Sequence, residues 1–358
     1  MTRTPATRAR RRDRRVYTRS HPLLFALLAA ARRRPVTRLG RTVLVNGTEP
    51  YRHTLTRLPL DRTAPGTTGG AARALSAGGM LFDQEGAGHR GTRRTLADGL
   101  GAAGVTRLRP VGQQVLDRHL APLRTGTPVD LVPLARELAG ATVCALLGLD
   151  TDPLAVADAA ADAAAAAVRD HLPGLRGRGA ARAAATATAR LEELVGAGLP
   201  AMLAVAAVNT TVAALPRAVA WCADAGLWDA AADDRLRPAL VTELLRVTAP
   251  SPLLPRVAAA DSGPVRAGDR LLLVARHAAR AHDRLPDPHD PAPAALAHLV
   301  FGTGPHTCPG AALTRAQLAD TLAALAPHRP TVLHARADRR AALPGWHTLT
   351  VTARGGTA

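Results

Sequence analysis

The stretch Phe301-Gly-Thr-Gly-Pro-His-Thr-Cys-Pro-Gly310 decides how this chain is read. It holds three glycines, two prolines, one histidine and one cysteine in ten residues, with no helix-forming run and no apolar alternation. Pro309 follows Cys308 directly, and proline suits the first helical position because its missing N–H would be unpaired there anyway. The spacing therefore predicts a helix from Pro309 with Cys308 at its N-cap. The partial positive charge of a helix N-terminus stabilises a thiolate at that place. Gly302, Gly304 and Gly310 permit positive φ and close backbone approach. Together they allow N–H groups to be aimed at the sulfur and leave room for a flat group against the loop.

The rest of the composition bounds what such a loop can serve. The chain has 358 residues, of which 47% are hydrophobic and 21% charged. A sizeable core is expected, one large domain fits the length as well as two, and the composition argues against gross disorder. Aromatic residues make up only 2%, so alanine and leucine must fill most of the core. The formal net charge is +18, and all 46 basic residues are arginine. That bias, together with the abundant alanine, is what a GC-rich coding sequence produces, and part of the charge is discounted accordingly. The excess otherwise suits nucleic acid, an anionic membrane surface or an acidic protein. Nucleic acid is disfavoured, because stacking aromatics are scarce and no nucleic-acid motif is visible. The three cysteines, Cys144, Cys222 and Cys308, have no zinc or disulfide spacing. Cys144 and Cys222 sit in apolar helical stretches and read as inert buried thiols.

At the N-terminus an arginine run precedes PLLFALLAAA. This pattern resembles a signal peptide, but arginines 32–34 and a strand follow at once, and the apolar run is too short to span a bilayer. The reading is a basic, disordered tail over residues 1–15, then a single domain over 16–358, in a cytoplasmic protein without a membrane span. RTVLVNGT (Arg41 to Thr48) reads as a strand and its exit. From about Thr106 to Gly226 the chain is mostly helical, with alanine as the main helix former. PVRAGDRLLLVAR (Pro264 to Arg276) reads as a strand pair around Gly268-Asp269. Leu318, Leu322 and Leu325 share one helical face, and TLTVTAR (Thr348 to Arg354) reads as a last strand.

A lone thiolate on a tight loop beneath a planar ligand is the proximal arrangement of a haem-thiolate iron. At this point the sequence resembles the cytochrome P-450 family, whose cysteine-ligand loop runs Phe-Gly-x-Gly-x-His-x-Cys-x-Gly. Phe301, Gly302, Gly304, His306, Cys308 and Gly310 match it position for position. The resemblance implies a mainly α fold, cytochrome P-450-like, with small antiparallel β-sheets. It implies haem b (iron protoporphyrin IX) as cofactor, with Cys308 as the metal ligand and Phe301 and Gly302 against the cofactor. Glu243 and Arg246 match the family's Glu-x-x-Arg pair, three residues apart on one helix face, and are expected buried. His89 and Arg93 match a His-x-x-x-Arg pair. With Arg256 and His306 they are expected to hold the haem carboxylates. AAVNTT (Ala206 to Thr211) resembles the distal helix motif, with Ala206 leaving space over the cofactor and Thr210 supplying the hydroxyl near bound dioxygen.

Three departures from the pattern bear on activity. Asn209 stands where an acid is usual, and an amide cannot titrate in the relevant range. Pro216 lies in the same helix and is expected to kink it. The segment AARAHDRLPDPHDPAPAA replaces the family's longer stretch before the loop. The resemblance implies a monomeric monooxygenase that oxidises a small organic substrate with O2, in secondary metabolism, fed by a ferredoxin and its reductase. An oxidative-coupling or peroxide-driven enzyme and a non-catalytic haem-binding relative are the alternatives. Substrate-lining residues are expected between about Pro153 and Pro200 and from about Leu60 to Phe82.

Overall fold

Apolar residues at helical spacing build most of the molecule. The computed structural model describes residues 4–70, 73, 81–171 and 179–354; parts of both expected substrate-lining stretches, and residues 1–3 of the expected tail, lie outside them. In chain order the elements are α1 (Pro5–Ser20), α2 (Pro22–Ala31), β1 (Val36–Leu39), β2 (Thr42–Val45), α3 (Thr48–Thr56), β3 (Leu60–Asp61), α4 (Gly86–Leu100), α5 (Ala102–Leu120), β4 (Val129–Asp130) and α6 (Leu131–Leu147). There follow α7 (Pro153–His171), α8 (Ala180–Val195), α9 (Leu199–Ala225), α10 (Trp228–Ala232), α11 (Arg237–Thr248), β5 (Leu253–Ala258) and β6 (Arg270–Val274). The last are α12 (Ala275–Ala278), α13 (Ala294–Ala297), α14 (Ala311–Leu325), β7 (Thr331–Ala337) and β8 (Trp346–Thr352).

The long α9 forms the axis. Gly198 and Pro200 open it, and Gly226 in the left-handed region closes it. It continues through Pro216 to Ala225. Among the described residues α9 is the helix long and apolar enough to cross a membrane, but here it runs through the core. Ala214, Leu215, Ala218, Val219 and Trp221 pack in one cluster with Leu134 and Leu138 of α6, Leu240 and Leu244 of α11, and Leu318, Leu322 and Leu325 of α14. All three tryptophans, Trp221, Trp228 and Trp346, lie in this cluster. A second cluster is made mainly of small residues: Val156, Ala157, Ala160 and Ala163 of α7 against Ala139 and Val143 of α6, Leu191 of α8 and Ala204 and Val208 of α9. Small side chains let these helices approach closely. At Gly140 of α6 an added Cβ would stand 1.9 Å from the Pro153 carbonyl oxygen. The turn into α6 is capped by Asp130, whose carboxylate accepts from the Val132 N–H at 3.0 Å.

Two sheets flank the helices. The first has strand order β1-β2-β6-β5-β3 and the second β4-β8-β7. Pairing is antiparallel except between β2 and β6, which run parallel with Val43 opposite Leu271. That pair departs from the all-antiparallel sheets expected; the long chain between the two strands permits the crossover that a parallel pair needs. The strand pair expected around Gly268-Asp269 is half present. Gly268 makes the turn at φ 78°, but only β6 follows it as a strand. Its partners are β5 and β2, and the segment before the turn makes one isolated bridge, Ser262 to Val265.

The N-terminus differs most from expectation. From Pro5 onward the stretch read as a disordered tail is a packed helix that buries Ala9, Asp13, Val16 and Tyr17 on one face. Asp13 accepts from Arg217 Nε at 2.8 Å and from Arg276 Nη1 at 2.8 Å. The Tyr17 hydroxyl donates to the Thr248 carbonyl at 2.7 Å and accepts from Arg217. The reason is a four-residue stripe at helical spacing, hidden among arginines that point outward.

Candidate active site

The loop from Phe301 to Gly310 is held by its own backbone. Gly302 (φ 77°) and Gly304 (φ 75°) both adopt positive φ, and the Cys308 N–H donates to the Phe301 carbonyl at 2.8 Å. The helix after it begins at Ala311, with Gly310 at the N-cap, two residues later than Pro309 suggested. Pro309 and Gly310 instead form a turn that carries the Gly310 N–H onto the Cys308 sulfur. The Cys308 side chain is open at its surface, although protein surrounds it at longer range. Desolvation raises its pKa, opposed by the Gly310 N–H and by the charges of Arg93 and Arg315. Arg315, one turn into α14, stacks over the Phe301 ring at 4.6 Å and donates to His298 Nδ1 at 3.0 Å.

Beside the loop lies a concentration of bases. His89 is buried on α4, with its ring centroid 3.8 Å from that of His306. Arg93, one turn further along α4, donates to the Thr307 carbonyl. Arg256 on β5 donates to Thr68 Oγ1 at 3.0 Å. Arg62, which nothing in the sequence distinguishes from the other arginines, completes the group; its Nε donates to Glu85 Oε1 at 2.8 Å. The His306 pKa is pushed down to about 3, first by burial and then by Arg62, His89, Arg256 and Arg93. Burial and then Arg62 bring Arg256 down to about 10. His89 Nε2 and Arg256 Nε are buried without a hydrogen-bond partner. Five basic side chains facing one exposed carboxylate, with two orphaned polar atoms among them, form a receptor for anions. The two carboxylates of a porphyrin have the charge and the acceptor atoms that this donor set lacks, so the residues present fit haem.

Glu243 and Arg246 are both fully buried on α11 and pair at 2.9 and 2.6 Å. The remaining Arg246 protons go to the carbonyls of Ala279, Arg280, Arg284 and Leu285. Glu243 accepts from the Ala292 N–H at 3.0 Å. The shortened proline-rich segment before the cysteine loop is therefore fastened to this pair. On α9, Ala206 and Ala207 are half-buried. The Thr210 hydroxyl donates to the Ala206 carbonyl at 2.8 Å. Asn209 donates to the Val205 carbonyl at 2.8 Å and to Ala160 of α7 at 3.2 Å, so both of its amide protons tie α9 to its own turn and to α7.

The chain superimposes over nearly its whole length on P450BioI, solved in complex with an acyl carrier protein bearing hexadec-9Z-enoic acid. The TM-score is 0.76 over 94% of this chain and 99% of that one, at 18% identity. This is a cytochrome P450 fold. A second P450, a mutant of EryK in complex with erythromycin B, matches with a TM-score of 0.71 at 23% identity, over 95% of this chain and 99% of that one. In sequence, cytochrome P450 140 of Mycobacterium tuberculosis is 37% identical over 127 residues, which is 33% of this chain and 29% of the relative's length. No family model matches the chain. Within this fold α11 carries the buried Glu243–Arg246 pair and α14 follows the cysteine loop.

Proposed function

We propose that this protein is a haem-thiolate monooxygenase that oxidises a small organic substrate. The observation that carries the reading is the Cys308 loop standing beside a cationic cluster with unsatisfied donors at His89 and Arg256. Haem b would be held by Cys308 at the metal and by His89, Arg93, Arg256 and His306, with Arg62, at its carboxylates. When bound it would supply dioxygen activation at iron, which a thiolate ligand biases toward O–O cleavage. The protein supplies binding, orientation and protons. The Gly310 N–H holds the sulfur, favouring its ionised form. Phe301 and Gly302 would shape the loop that carries Cys308 to the cofactor. Ala206 would keep α9 free of bulk where substrate and oxygen fit, and Thr210, whose hydroxyl now donates to the Ala206 carbonyl, would supply a hydroxyl there.

Electrons would come from a ferredoxin and its reductase, the acidic ferredoxin being steered to arginines around the loop such as Arg315. The enzyme would work as a monomer in the cytoplasm, in secondary metabolism. The test is a reduced carbon-monoxide difference spectrum. The wild type should give the red-shifted thiolate band, and Cys308→Ser should lose it. An unchanged spectrum in the variant would overturn the assignment.

Asn209 favours a second reading. An amide whose two protons are committed to carbonyls on α9 and α7 is no proton relay from solvent. A peroxide-driven or oxidative-coupling enzyme needs that relay less. Turnover with hydrogen peroxide exceeding turnover with ferredoxin would select it. Haem loading without turnover under either donor would point to a non-catalytic haem-binding relative.

A further inference from the structure

Residues 1–60 contain fifteen arginines against two acids, Asp13 and Glu49, so most of the chain's net charge of +18 sits in its first sixth. One of the two acids, Asp13, is buried among arginines. On α1 the residues Arg8, Arg11, Arg15 and Arg19 share the outer face and are exposed, and arginines 32–34 are exposed just past the end of α2. Between these two basic groups lies α2, which is apolar all round. One side is used by the fold: Leu24, Phe25, Leu28 and Ala31 pack on Leu44, Leu253, Leu272 and Val274 of the first sheet. The other side, Leu23, Ala26, Leu27 and Ala30, follows a strict helical spacing and faces solvent. Leu23 is 86% exposed and Leu27 48%.

From this we infer that the α1–α2 hairpin is a docking surface for an anionic lipid bilayer. A stripe of leucine and alanine flanked along the chain by exposed arginines is what an interfacial helix presents, with apolar residues at the acyl boundary and guanidinium groups at the headgroups. At ten residues α2 is too short to span and would lie in the plane of the interface. The two helices are braced as one unit by the edge-on contact of Tyr17 and Phe25, 4.9 Å between centroids. A nucleic acid would use the charge but has no use for the leucine stripe. The inference is independent of haem binding, and the Cys308→Ser protein should dock equally well.

The test is flotation of the full-length holoprotein with vesicles of phosphatidylcholine alone and of phosphatidylcholine with phosphatidylglycerol. Binding is expected only to the anionic vesicles and should fall steeply with salt. The double variant Leu23→Ser/Leu27→Ser keeps every charge and alters only exposed residues, so its thermal midpoint should stay unchanged. Its partitioning should fall by about tenfold or more. Arg32→Gln/Arg33→Gln/Arg34→Gln should weaken binding while leaving the salt-resistant part. Absence of binding to anionic vesicles at low salt would overturn the proposal. So would a double-leucine variant that binds like the parent, since diffuse charge would then explain the attraction. Displacement from the vesicles by duplex DNA at equal phosphate would also overturn it and mark a nucleic-acid face.

Discussion

Gly302 combines φ 77° with ψ −170°, a region open in practice only to glycine. Its added Cβ would meet nothing closer than the His306 carbonyl at 3.7 Å, so the constraint is the backbone and not space. Gly302→Ala should therefore cost about 1–3 kcal/mol and shift Cys308, read as lower haem occupancy in a protein of native helix content. A second single-residue effect concerns pH. His277 Nδ1 lies 2.9 Å from Asn46 Oδ1, and Asn46 donates its amide protons to Ala31 and Arg34, so His277 is the donor. Burial, then His282 and Arg276, lowers its pKa to about 3 from an ordinary 6.5. The unfolded chain takes up this proton below about pH 6.5 while the folded chain refuses it down to about pH 3. Stability should thus fall as pH drops through that window, and His277→Gln should flatten the acid limb of a urea-midpoint titration. At this scale the sequence was legible wherever chemistry needs fixed spacing: Cys308, His306, Glu243 and Arg246 stand out by their intervals. Arg62 and Arg315 did not, because one arginine among 46 carries no mark of which way it faces.

Among the elements, the bracing of the segment before the loop has the clearest energetic consequence. Arg246→Ala would leave Glu243 charged and buried and would free four carbonyls between Ala279 and Leu285. A cost of about 3–5 kcal/mol is expected, seen as a lower urea midpoint and release of haem before global unfolding. At the α6–α7 contact, Gly140→Ala would set its Cβ against the Pro153 carbonyl and force the helices apart. That change should cost about 1–3 kcal/mol, a calorimetric shift with no change in the cysteine loop. The helix α14 was readable from its apolar spacing, the region of α9 from its alanine content, and β2 and β8 from their β-branched runs. Strand partners were not, because pairing of β6 with β2 and β5 depends on residues more than a local turn away. The start of α14 was misplaced by two residues because Pro309 suits a turn as well as a first helical position. α1 was masked because arginines at 10–12, 14 and 15 fill outward or half-buried positions without disturbing an inward stripe of Ala9, Asp13, Val16 and Tyr17.

On the scale of the molecule, α1 closes over the far end of α9. Arg217, whose side chain has 0% exposure, finds its counter-charge in Asp13 of α1 and a neutral acceptor in the Pro344 carbonyl. Deleting residues 1–20 would strand Arg217 and Arg276 without Asp13 and should cost at least about 3–5 kcal/mol. A soluble truncation of undiminished thermal midpoint would contradict this placement. Electron transfer from the proposed ferredoxin donor should also slow with rising salt, because exposed charges lose their reach beyond about 10 Å at 0.1 M; a flat response would argue against arginine-guided docking.

The placement of Trp221, Trp228 and Trp346 in one cluster gives the protein a selective optical reporter. Intrinsic fluorescence will follow the opening of the α9–α11–α14 core, which α1 joins through Ala9 and Val16, and register little of the first sheet. Emission at a constant maximum while the hairpin engages a vesicle, followed by a red shift when urea opens the core, would be two separate events read from the same three indoles.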